Sequence, residues 1–279
     1  PDNQAVAIGE TVRLNLTLTP TDAETRITWK SSDPKIASVS LTGDVTGVKE
    51  GTTTVIATTD NGLSAECRVN VYADVSRSVN IAKAGYATFY DSENAFTLPK
   101  ELSAQIVTDV YNHKIIYKTI ADGSTSGVVP KDVAVMLVSS KKKAGVYTLK
   151  STYSTDEYTG SNLLHGSDDK SFVRPSSNEY AYKLAYGPAG TGWSNVFGWF
   201  WGGDNGGPFQ IEGHRAWMLV PKEAGARGYS AEGEETDVDN IVTTPDLDSD
   251  CTTDLQGRRV KSPLSKGVYI RNGKKVMVK

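Results

Sequence analysis

The stretch VRLNLTLTP, residues 12–20, sets Val12, Leu14, Leu16 and Leu18 against Arg13, Asn15, Thr17 and Thr19. Apolar and polar residues alternate without a break, which is the period of a strand with one face buried and one in water. Similar short runs follow along the chain: RITWK, IASVS, TTTVIATT, KIIYKTIA, GVYTLK and YAYKLAY. Gly, Pro, Asp and Asn punctuate them, as turns require. Long segments rich in Ala, Leu, Glu and Lys are absent, so the expected class is all-β, built from sandwiches.

The bulk numbers narrow the function classes. A chain of 279 residues suggests about two or three domains. A net charge of −3 is too small to point to nucleic acid. No run of about 18 apolar residues exists, so no transmembrane helix is expected. The chain opens at Pro1 rather than Met and shows no signal peptide, which reads as a trimmed or mature form. The two cysteines, Cys67 and Cys251, form no C-x-x-C pair, which argues against a metal knuckle or a thioredoxin-like motif. Cys67 alternates with Ala65, Val69 and Val71 and reads as a small buried apolar residue. A disulfide to Cys251 is the alternative.

Residues 1–74 form the clearest unit. Trp29 has the bulk to fill the gap between two sheets, and Asp33-Pro34 makes a turn. Gly47 and Gly51 supply backbone freedom. With Ser31-Ser32, Ala37, Val39, the Gly43…Val45-Thr46-Gly47-Val48 turn and the closing Val69…Val71 strand, this segment resembles the bacterial immunoglobulin-like domain group 2, the intimin and invasin type. The resemblance implies an Ig-like sandwich that serves as a spacer or adhesion module.

Residues 75–223 read as a second, larger β-sandwich of unknown function. GYATFY, residues 85–90, is followed by Leu98-Pro99, then VVPKDVAVML, AGVYTL, NLLHG, FGWFW and RAWML. This order resembles a domain of secreted Bacteroides-type proteins, and the resemblance implies no activity. Within it, FGWFWGGDNGG, residues 197–207, holds four aromatics in five positions. In a strand Phe197, Trp199 and Trp201 point one way, Gly198 and Phe200 the other. Three readings stand open: core packing between sheets, an exposed patch that stacks on sugar rings or proteins, or packing against the C-terminal hairpin or the first domain. The candidate ligand-binding residues on the second reading are Trp193, Trp199, Trp201 and Tyr186. Tyr153, Tyr158, Tyr180 and Tyr182 bracket the region, and tyrosine-rich loops suit adaptable recognition.

Residues 224–253 are acidic and read as a loosely docked linker. In PDLDSDCTTDLQG, residues 245–257, Asp246, Asp248, Asp250 and Asp254 take positions 1, 3, 5 and 9 of a calcium loop. Cys251 stands where that loop needs Gly, and Gly257 where it needs a bidentate Glu. The pattern is therefore a weak calcium candidate beside the plain reading of a solvated linker. Residues 254–279 are basic, and VYIRNGKKVMVK carries Asn272-Gly273 at a hairpin turn. This ending resembles the C-terminal sorting tails of secreted Bacteroidetes proteins; a hairpin with a purely structural role is the other reading.

Catalytic patterns are weak. There is no G-x-S-x-G elbow and no H-E-x-x-H. His113 and His165 read as turn residues, and His214 as the start of a strand. Ser139 and Lys142 match S-x-x-K within SSKKKAG, which reads as a turn between strands. The expectation is a non-enzymatic exported protein of the cell surface or exterior, serving adhesion or interaction, with no cofactor. The alternative is a carbohydrate-binding protein in glycan capture or degradation. The expected partner is a surface glycan or a host or bacterial surface protein.

Overall fold

A computed structural model describes residues 2–21, 23–111, 114–189, 194–232, 234–235, 252–253, 267–271 and 274–278. Among these residues the only helical elements are two 3₁₀ turns, Gly123–Thr125 and Asp204–Gly206. The chain divides into two compact units, residues 1–237 and 238–279.

The N-terminal part is a sandwich of two sheets. Four strands lie in the order Asn3–Ala7, Ser64–Tyr72, Gly51–Thr59, Ile27–Ser31, and three in the order Thr11–Arg13, Asp44–Gly47, Ala37–Val39. Val6, Leu14, Ala37, Val45, Val55, Cys67, Val69 and Val71 fill the space between them, with Trp29 packed against this core. Gly43 turns with φ of +83°, and a Cβ there would lie 2.7 Å from the Trp29 ring. The turn therefore needs glycine twice, for its backbone and for the indole. Cys67 is buried and free, and burial raises its thiol pKa.

The run at residues 12–20 differs from the single strand its alternation predicts. The strand covers only Thr11–Arg13. Its partner, Asp44–Gly47, ends at the Gly43 turn, so the last ladder-like bond runs from the Leu14 N–H to the Gly43 carbonyl at 2.9 Å. Beyond Leu14 no partner edge is available, yet Leu14 is buried and Leu16 and Leu18 stay half-buried. The alternation reports burial correctly and hydrogen bonding only in part.

The larger part of the first unit is built of three sheet layers. The outer sheet holds Val128–Val129, Ala95–Thr97, Gly145–Thr152 and Ser76–Ile81. The middle sheet holds Glu234–Glu235, Lys114–Asp122, Leu102–Tyr111, Val135–Ser139 and Tyr86–Phe89. The third holds Leu164–Ser167, Arg215–Pro221, Glu179–Tyr186, Phe197–Trp201 and Gly228–Ser230. A small ribbon pairs Ser171–Val173 with Phe209–Ile211.

The middle sheet is apolar on both faces because it supplies two cores. Val135 and Leu137 face a cluster with Val79, Phe96 and Leu149. Met136, between them, faces the opposite cluster with Tyr182, Trp199 and Met218. This is why DVAVMLVSS reads as a continuous apolar run rather than an alternating one. In the neighbouring strand Leu102, Ala104 and Ile106 face the first cluster. Val107 faces the second by ordinary alternation, and an irregularity between Val107 and Asp109 then shifts the register so that Val110 faces the second as well. A bulge changes which side chains face each side of a sheet.

FGWFW is a strand of the third sheet, and its centre is core. Trp199 is 0% exposed, and Phe200 is buried on the opposite face. The Gly228–Ser230 strand presses so close that a Cβ on Gly198 would meet the Tyr229 carbonyl at 2.0 Å. The acidic linker expected from residue 224 accordingly begins too early. Tyr229 and Ala231 are buried in the second core, with Ala224 and Ala226 packed against it. The Tyr229 hydroxyl ties this segment down, donating to the Ala224 carbonyl and accepting from the Ala226 N–H, both at 2.9 Å. The acidic composition is confined to later residues, most of them outside the described set.

In the second unit, Thr252–Thr253, Gly267–Arg271 and Lys274–Val278 form an antiparallel sheet in that order. Arg271 pairs with Lys274, which leaves a two-residue connection at Asn272-Gly273.

Candidate functional site

The third sheet ends in an edge strand, Leu164–Ser167, which among the described strands pairs only with Arg215–Pro221. Beside this edge lies a cleft of about 370 Å³. Tyr90 and Asp132, in loops that flank the middle sheet, form one wall. Tyr158 and Asn162 close one end, and His165 and Trp217 contribute from the third sheet.

Local bonds fix these side chains. The Leu164 N–H donates to Asn162 Oδ1 at 3.0 Å, and Asn162 Nδ2 donates to the Ala134 carbonyl at 2.8 Å. One amide thus fastens the edge strand to the middle sheet. The Tyr90 hydroxyl donates to Asp132 Oδ1 at 2.5 Å. Burial, then this bond and the nearby Asp132, Asp168 and Asp91 charges, push the Tyr90 pKa well up, so the phenol stays neutral. Its ring lies over Gly166, where a Cβ would fall 2.0 Å from a ring carbon. Only glycine leaves room for the ring at that point of the strand.

His165 and Trp217 face each other across the ladder, with ring centroids 6.2 Å apart and planes at 22°. His165 is exposed on the rim, but desolvation around its ring lowers its pKa, which favours the neutral imidazole. The Trp217 Nε1 is buried and has no hydrogen-bond partner among the described residues. The Tyr158 hydroxyl donates to the Ser161 carbonyl at 3.2 Å, which orients its ring in the cleft wall.

An ionic clasp lies behind Tyr90. Arg77 Nε meets Asp91 Oδ2 at 3.1 Å, and Asp91 Oδ1 accepts the backbone N–H groups of Glu93 and Asn94. His214 Nδ1 lies 3.1 Å from the Tyr90 carbonyl, 3.4 Å from Asp168 Oδ1 and 3.6 Å from Asp91 Oδ2. Asp91, Asp168 and His214 could together ligate a cation. However, Ser92 already occupies both oxygens of Asp168, and Arg77 sets a positive charge against Asp91. The arrangement fits a structural clasp that holds the Tyr90 loop.

The ligand-binding residues expected from the sequence do not form one platform. Trp199 is enclosed and offers no face to a ligand, which corrects its place in the expected set. Tyr186 is 49% exposed and meets Phe197 edge-on at 5.0 Å. Trp201 is half-buried and packs on Tyr180 at 5.1 Å. Tyr186 pairs with Phe197 and Tyr182 with Trp201, so Tyr186 and Trp201 sit about 13 Å apart along the sheet. Trp193, His113 and the calcium pattern of Asp246, Asp248, Asp250 and Asp254 lie outside the described residues. His165 is in a strand rather than a turn. Tyr90 and Trp217 were visible only as parts of GYATFY and RAWML, where each reads as one strand aromatic among several.

The fold and the cleft define an all-β protein with an Ig-like sandwich ahead of a layered β domain. Residues 1–69 match the family described as Bacterial Ig-like domain (group 2), and the N-terminal sandwich is such a domain. The chain is 29% identical over 157 residues to an Alpha-L-arabinofuranosidase of Bifidobacterium longum subsp. longum, a likeness covering 56% of this chain and 13% of that protein. It is 46% identical over 66 residues to a Lacto-N-biosidase of Bifidobacterium bifidum, 24% of this chain and 6% of that one. It is 40% identical over 73 residues to a 3-O-alpha-D-galactosyl-alpha-L-arabinofuranosidase of Bifidobacterium longum subsp. longum, 25% and 6%. The matches thus span only 6% to 13% of these relatives' lengths. The first likeness, at 157 residues, is longer than the 69-residue Ig-like match and therefore extends beyond it. No helix among the described residues is long and apolar enough to cross a membrane.

Proposed function

We propose that this chain is a non-catalytic, glycan-binding protein of the cell exterior, and that the cleft between Tyr90, Tyr158, His165 and Trp217 is its binding site. The observation that carries the reading is the cleft's chemistry. Aromatic rings offer flat surfaces to sugar C–H faces, and the neutral His165 imidazole, exposed at the rim, offers polar contacts to hydroxyls. The carbohydrate-active names of the relatives support the same substrate class.

The cleft lining carries one carboxylate, Asp132, already bonded to Tyr90. Glycoside hydrolysis commonly uses a pair of carboxylates flanking the bond. This supports capture rather than cleavage, with the Ig-like domain as a spacer and adhesion to a glycan-bearing surface as the outcome. Tyr186 and Trp201 are placed too far apart to share one sugar ring, and we assign them no role in this cleft.

Affinity electrophoresis through gels containing arabinan, arabinogalactan or a lacto-N-biose-bearing polymer tests the proposal. Retardation of the wild type by at least one polymer, lost in Trp217→Ala, supports it. Equal migration in every gel, or retardation that Trp217→Ala leaves intact, overturns it.

A further inference from the structure

A second cleft, of about 360 Å³, opens between the Tyr86–Phe89 strand of the middle sheet and the third sheet. One side is apolar. Tyr86 and Phe197 stack with centroids 5.9 Å apart and planes at 9°, and the half-exposed Tyr186 stands edge-on to Phe197. The other side carries Thr88, Lys183, Gln210 and Arg215.

Arg215 is the unusual member. It is only partly exposed, and among the described residues its hydrogen bond runs from Nη1 to the Thr88 carbonyl at 3.2 Å. Among the described residues no carboxylate lies within salt-bridge distance of it. Glu212, the acidic residue of the lining, pairs with Lys170 at 2.9 Å instead. Burial lowers the guanidinium pKa and no neighbouring carboxylate acts in the other direction. A guanidinium presents five donors in a planar fork matched to a carboxylate. Here it reaches solvent through a cleft whose other wall is aromatic.

We propose that this second cleft binds a carboxylate-bearing sugar, with Arg215 gripping the carboxylate, Lys183 adding positive charge at the rim, and the Tyr86–Phe197 side receiving the sugar's C–H face. The apolar wall distinguishes this ligand from a simple inorganic anion, which would use the guanidinium alone. The site shares no lining residue with the Trp217 cleft, so it stands or falls separately from the proposal above.

Isothermal titration of the whole chain with trigalacturonate, its fully methyl-esterified form and inorganic phosphate tests the inference. The ester removes the charge while the protein stays unaltered, so a variant's folding is not at issue. Binding of the acid, weakened about tenfold or more both by esterification and by Arg215→Gln, supports the site. Absence of binding, equal affinity for acid and ester, or phosphate binding as tightly as the acid overturns it. If neutral glycans are captured through the Trp217 cleft in the same preparation, such a failure belongs to the second cleft alone.

Discussion

The indole nitrogen of Trp199 donates to the phenol oxygen of Tyr117 at 3.0 Å, between two side chains that are both buried. One comes from the third sheet and the other from the middle sheet, so a single polar contact fixes the spacing of two layers. Burial pushes the Tyr117 pKa well up, which keeps the hydroxyl neutral at any ordinary pH. Trp199→Phe removes the donor and leaves the hydroxyl short of a partner, a loss of about 1–3 kcal/mol. Trp199→Ala adds a cavity and should cost about 3–5 kcal/mol. Urea unfolding followed by circular dichroism measures both. A Trp199→Ala protein as stable as wild type would contradict the three-layer core.

Gly166 lies beneath the Tyr90 ring. In Gly166→Ala the new methyl group must displace that ring, because the Cβ would stand 2.0 Å from it. The strand itself tolerates alanine, so overpacking of about 1–3 kcal/mol is the expected stability cost. Glycan retardation should fall as far as in Trp217→Ala. Retained binding would show that Tyr90 does not shape the site.

Desolvation lowers the pKa of His165 in the folded protein below its ordinary value of 6.5. The folded state therefore holds the neutral ring more strongly than the unfolded chain does. Above pH 6.5 both states are neutral and this group leaves stability unchanged with pH. As pH falls through 6.5 the unfolded chain takes up a proton first, and stability declines until the folded ring protonates too. Denaturation midpoints of wild type and His165→Asn from pH 7.5 to 5 should diverge in that direction. Parallel curves would remove His165 from the account.

How much of this was legible in the sequence follows from what each pattern encodes. Alternation at residues 12–18 reports burial, because period two depends on one chain alone. It overstates the strand, because a ladder needs a partner and the Gly43 turn removes it. The aromatic run at Phe197–Trp201 could be read as core or as surface. Deciding required the middle sheet, which supplies Tyr117 from a segment remote in sequence. The middle sheet was visible as an unbroken apolar run at residues 133–138, but that run does not say that two other sheets cover it. The cleft was least legible. Tyr90, Tyr158, His165 and Trp217 come from separate segments; the sheet ladder joins only His165 to Trp217, and the tertiary fold brings the two loop tyrosines to them. The one local signal was Gly166 next to His165 in NLLHG, where a glycine inside a strand marks a close approach.

The most direct test of the central claim reads the tryptophans themselves. The chain has five, and each indole N–H gives its own signal in a ¹H–¹⁵N spectrum, assigned by single Trp→Phe replacements. Titrating a retarding glycan should move the Trp217 signal saturably, since its ring lines the cleft, while the Trp199 signal, bonded to Tyr117, stays in place. A Trp217 signal unmoved at saturation would contradict the claim that this cleft is the binding site.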